Sequence, residues 1–152
     1  MATALTAVYA LHLVFGALWT GSVVFFTYSY LPVASRGDVS VGVLESATSK
    51  LTTVSRAGAS LQLLTGAVLA SPMGVATTAA YWSSTTGYLV VAMVVLWLAL
   101  AALTEMAASR LRDGLDVDKV RSPARDASTL LRAASVVAVL LLVDAGLLVA
   151  GV

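Results

Sequence analysis

Residues 87–106 read GYLVVAMVVLWLALAALTEM, and no charge interrupts them before Glu105. A helix rises about 1.5 Å per residue, so ~20 apolar residues match a hydrocarbon core about 30 Å thick. The apolar character runs all round the helix rather than along one stripe, as expected where lipid is the solvent. It does not alternate with period two, which argues against a strand of a membrane barrel. Working outward, three more stretches read the same way: about 5–31, ending at Pro32; about 51–70, ending at Ser71-Pro72; and about 133–152. Proline cannot continue a helix interior, so both prolines read as stops. The expectation is an all-α polytopic membrane protein. It is a single domain, an antiparallel four-helix transmembrane bundle whose polar loops are 32–50 and 107–132.

The composition agrees. Of 152 residues, 59% are hydrophobic and 11% charged, and the mean hydropathy is +0.93. An ordinary soluble domain is about 25% charged. Too few polar side chains remain to coat a water-soluble globule, which argues against a soluble enzyme. No set of residues reads as a catalytic constellation. A net charge of +1 gives no basis for nucleic-acid binding. The absence of cysteine excludes disulfides, thiolate metal sites, iron–sulfur clusters and thiol catalysis, and a single histidine excludes a multi-histidine site within one chain.

Charge placement orients the chain. Arg36, Lys50 and Arg56 flank the first loop, and Arg110, Arg112, Lys119, Arg121, Arg125 and Arg132 flank the third. These are all nine basic residues. The positive-inside rule therefore puts both loops in the cytoplasm and both termini outside. Residues 1–4 carry no basic side chain, and the apolar run behind them is too long for a signal peptide, so the first span reads as uncleaved. Arg exceeds Lys and Asp exceeds Glu, a bias that points to the GC-rich genome of a salt-loving prokaryote, and the expected location is the plasma membrane of such a cell. Residues 40–50 read as an extension of the second helix, with Asp38 or Ser40 as its N-cap.

Polar side chains inside apolar spans carry the functional information, because lipid makes them costly. His12, Gln62, Met93 and Asp144, one on each span, fall at a common depth, roughly 10–14 Å below the outer surface at ~1.5 Å per residue. In a bundle such a layer forms an interior site. Gly16 and Trp19 share a face with His12; Ser55, Ala59 and Gly66 share one with Gln62; Val137, Leu140 and Leu148 share one with Asp144. His12 is the candidate ligand for a metal or haem iron, with Met93 as a soft thioether donor suited to Cu(I). Asp144, Gln62 and Trp19 would support it, with Asp144 orienting the imidazole or carrying a proton. Arg56 and Glu105 sit at matching depth near the inner boundary and read as an ion pair.

Leu11-His12-Leu13 followed by Ala17-Leu18-Trp19-Thr20-Gly21 resembles the first helix of the CopD family of copper-resistance membrane domains. Ser55-Arg56-Ala57 followed by Leu63-Leu64-Thr65-Gly66 resembles the second helix of that family. The resemblance implies a four-helix membrane unit that transports or binds copper or another small solute. The first helix is also similar to that of the HemJ-type membrane oxidases, which bind haem. That family carries a lysine early in its third helix, where this chain reads Thr86-Gly87-Tyr88-Leu89-Val90. A non-catalytic subunit of a larger membrane complex is a third reading. Four helices hardly enclose a path with two gates, so a homo-oligomer or a membrane partner is expected.

Overall fold

A computed structural model describes residues 2–70 and 78–151. Those residues are almost entirely helical and contain no strand. The Ser71-Pro72 stop and residues 73–77 lie outside the described residues. Three helical segments are long and apolar enough to cross a bilayer: Thr3–Arg36, Thr85–Leu115 and Arg121–Ala150. The chain is thus an all-α membrane protein.

The first segment does not stop at Pro32. Helix α1 (Ala2–Phe25) passes into a π-helical turn, Phe26–Tyr30, and then into α2 (Leu31–Arg36). Proline has no N–H to donate and crowds the carbonyl four residues back. The wider turn resets the ladder, with Leu31 N–H reaching Phe26 O, so that Pro32 falls in the first turn of α2, where no donor is needed. The true stop is Gly37, whose φ of +83° is a left-handed conformation that favours glycine. Its N–H closes on Ala34 O, and Asp38 N–H closes on Val33 O.

Only residues 37–40 separate α2 from α3 (Val41–Ala70), so most of the expected 32–50 loop is helix. Ser40 rather than Asp38 caps α3, its Oγ accepting from Val43 N–H at 3.4 Å. After a short α4 (Ala79–Trp82), Ser84 caps α5 (Thr85–Leu115) by accepting from Gly87 N–H. The expected 107–132 loop contracts to the turn 116–120 before α6 (Arg121–Ala150). Both helices run past the apolar stretch because apolar residues recur among the polar ones there and still pack: Leu111, Leu115, Ala124 and Ala127 are buried.

Four long segments pack in a ring, α1 on α3, α3 on α5, α5 on α6 and α6 on α1, with α5 and α6 in the most extensive contact. Alanines 107, 108, 124, 127, 134 and 138, all buried, let helices approach closely, as is usual in membranes. The core is lopsided. Trp19, Val23, Leu31, Leu44, Leu51, Leu100, Leu111 and Leu131 fill the half nearest the turns at 37–40 and 116–120. Buried hydroxyls there, Thr27, Thr48, Thr104 and Ser135, each donate to the carbonyl four residues earlier. That is how Thr48, Thr104 and Ser135 are buried without a second helix to satisfy them, while Thr27 also reaches Leu131 O of α6. In the other half, inward-facing residues are mostly only partly covered, and Asp144 is the buried exception on α6.

Candidate functional site

The seam between α1 and α3 is a ladder of polar contacts. His12 Nδ1 lies 2.7 Å from Thr65 Oγ1. Gln62 Nε2 donates to the His12 carbonyl at 2.9 Å. Lower down, Trp19 Nε1 donates to Ser55 Oγ at 2.9 Å, and Trp19 Cβ and Cγ lie close against Gly58, where a side chain would collide with them. Partner numbers fall along α3 as they rise along α1. Trp97 of α5 donates to the Ala59 carbonyl of α3 at 3.1 Å.

The network bears on which nitrogen of His12 carries the proton. The Thr65 hydroxyl has one hydrogen, and Leu61 O is an acceptor for it at 2.6 Å. With the hydrogen there, its lone pair accepts from the ring, which is the tautomer with the imidazole N–H on Nδ1; with the hydrogen turned to Nδ1, it is the other tautomer. Nε2 has no hydrogen-bond partner among the described residues. A neutral imidazole with one nitrogen held by a neighbour and the other open is the state in which histidine binds metals.

Asp144 is 6% exposed, and its Oδ2 is buried with no hydrogen-bond partner. No hydrogen bond or ion pair joins it to His12 among the described residues; the ring turns to Thr65 instead. Contacts elsewhere still fix its level. Thr27 Oγ1 donates to Leu131 O, and Gly37 lies against Arg121. Counting one residue for one from these contacts brings Asp144 level with residue 14, half a turn from His12 and from Gly16. The Arg110–Asp126 and Gly114–Pro123 contacts between α5 and α6 bring it level with Met93, which is half-buried. The α6 face differs from the expected one: Leu140 is exposed, and Ala134, Ala138, Leu141 and Asp144 turn inward. A helix steps about 100° per residue, so an offset of one position decides which neighbour turns in.

Arg56 and Glu105 come together in two hydrogen bonds, Nε to Oε2 at 3.2 Å and Nη2 to Oε1 at 2.6 Å. Arg112 joins them, giving Nη2 to Glu105 Oε1 at 3.0 Å and Nη1 to Thr52 Oγ1 at 3.2 Å. Sequence reasoning missed Arg112 and Thr65 as site residues. Arg112 stands seven residues beyond Glu105, two turns along one face, and Thr65 stands one turn beyond Gln62; both signals were present in the spacing. Among the described residues no three His, Asp or Glu side chains gather into a metal-binding group.

No family model, curated protein or solved structure matches this chain. The short motifs that resemble the CopD family have a physical account within the fold. The histidine and tryptophan of the first pair with the threonine and serine of the second, and Gly58 and Gly66 sit against Trp19 and His12.

Proposed function

We propose that the protein is a four-span antiparallel bundle resembling the CopD family that takes a small solute, a copper ion, into its loosely packed half. The open Nε2 of His12 carries this reading. Cuprous copper suits a neutral imidazole and a thioether, which makes His12 and Met93 the donors. Asp144 supplies the negative charge at that level, Gln62 fixes the backbone of His12, and Trp19 closes the layer below it. In this reading α3 crosses the membrane with the other three helices. It is less apolar than they are, but Ser55, Arg56 and Thr65 have partners and so does Gln62 Nε2, which leaves Gln62 Oε1 as the one buried atom of these four residues without a partner. The basic turns face the cytoplasm, both termini face outward, and the membrane is the plasma membrane of a prokaryote. A homo-oligomer completes the translocation path.

The test is metal content after loading purified protein with Cu(I) under reducing conditions, with an absorption spectrum of the same sample. The wild type should retain copper, His12→Ala should lose it, and Asp144→Asn should weaken retention roughly 10–100-fold, the usual cost of losing a group that supports a metal ligand. Equal copper in wild type and His12→Ala would overturn the proposal. A Soret band in the unloaded protein would replace copper with haem at the same nitrogen. A sample with neither bound copper nor colour would leave a structural subunit.

A further inference from the structure

The cluster of Arg56, Glu105, Arg112 and Thr52 does something the solute site does not need. Two guanidinium groups share one carboxylate, so the cluster carries a net positive charge. No other acid is within ion-pair distance of either arginine among the described residues. It lies on the outside of the bundle, across α3 and α5, where the apolar stretch 87–106 ends. The Arg56 side chain is 66% exposed, that of Arg112 41%. An uncompensated guanidinium at the edge of the hydrocarbon is costly unless an anion meets it. Seven residues from Arg56 and Glu105, toward the apolar middle, stand Leu63 and Leu98. Each is two turns along the same face, and they are 57% and 54% exposed. Charge at the polar boundary and an apolar track leading away from it match a phospholipid: a headgroup phosphate at the arginines and an acyl chain along the leucines.

We infer that this α3–α5 surface is a binding site for an anionic phospholipid, its phosphate held by Arg56 and Arg112 and partly displacing Glu105. The Thr52 hydroxyl, already held by Arg112, keeps that guanidinium turned toward the groove. Guanidinium forks suit phosphate better than ammonium groups do, because two parallel N–H donors meet two oxygens.

The experiment compares retention of phosphatidylglycerol and phosphatidylcholine by the purified full chain, read as lipid adducts in native mass spectrometry. Phosphatidylglycerol should be preferred. Arg56→Gln and Arg112→Gln should each reduce that preference roughly fivefold, the usual contribution of one basic side chain near an anionic surface. Glu105→Gln should increase it, since the competing carboxylate is gone; this variant decides the matter if the arginine variants fold poorly. An unchanged preference in the Arg56→Gln/Arg112→Gln double variant, or a decrease in Glu105→Gln, would overturn the site. Equal protection of the protein by inorganic phosphate and by phosphatidylglycerol would overturn the lipid as its occupant.

Discussion

Gly58→Ala tests whether the α1–α3 seam is set by backbone contact. A methyl group at position 58 would lie 2.8 Å from Trp19 Cβ, 2.9 Å from Cγ and 3.4 Å from Cδ2. Carbons rest about 3.5–4.0 Å apart, so the contact must open by roughly 0.7–1.2 Å. Trp19 cannot yield by rotating. It is 1% exposed, its Nε1 is held by Ser55, and its Cβ is fixed to the α1 backbone. The helices must part, which stretches the bonds from Trp19 to Ser55, from Gln62 to the His12 carbonyl and between His12 and Thr65. Overpacking of this kind costs about 1–3 kcal/mol. Alanine also favours a helix over glycine by about 1 kcal/mol, which masks part of that cost. Gly21→Ala removes the ambiguity. Nothing lies within 4 Å of a methyl group there, so it has the same helix gain without the clash. The stability difference between the two variants isolates the steric part, about 1–3 kcal/mol in favour of Gly21→Ala. Reversible unfolding in mixed micelles, followed by helical circular dichroism, measures it. Two variants of equal stability would show that the seam has slack and that the polar ladder does not depend on Gly58.

Three further outcomes are expected. Asp144→Leu should stabilise the fold by about 1–3 kcal/mol, because it removes a buried oxygen with no partner. It should abolish copper retention in the same preparation, and a destabilised variant would mean that the carboxylate is satisfied. Thr65→Val should cost only about 0.6 kcal/mol of stability, and at most ~1.7, the range for hydrogen bonds between membrane helices. Yet it should weaken copper retention because the ring is no longer held, and unchanged retention would separate Thr65 from the site. The chain has no cysteine, so Thr78→Cys and Ser122→Cys each give a unique label site. An impermeant reagent on intact cells should label only Thr78→Cys, and labelling of Ser122→Cys alone would invert the topology.

The ion pair of Arg56 with Glu105 shows how far spacing and depth reach. Both residues sit near the end of their apolar stretches that lies toward the basic turns, and the structure adds Arg112 to them from two turns away. His12 shows where such reasoning stops. Its depth places it in a layer with Asp144, but depth does not give rotation about the helix axis, and the ring turns to Thr65. Pro32 shows a second limit. A missing donor ends a helix only if the ladder before it is regular, and the π turn at 26–30 shifts that ladder.

What the sequence by itself determined was the class of object and its solvent. Uninterrupted apolar runs, few charges and basic residues confined to two segments are local and additive properties, so they can be summed along the chain without knowing what touches what. The tertiary structure alone decided which polar atoms meet. Thr65 and His12 are 53 positions apart and meet only because α1 and α3 pack at one register and one rotation. Those two quantities are set by where Trp19 can lie against Gly58, and by the alanine-lined contact of α5 with α6 that closes the ring. The contact of His12 Nδ1 with Thr65, and hence the open Nε2 on which the proposed chemistry depends, follows from that packing and from no property of the histidine's neighbours in sequence.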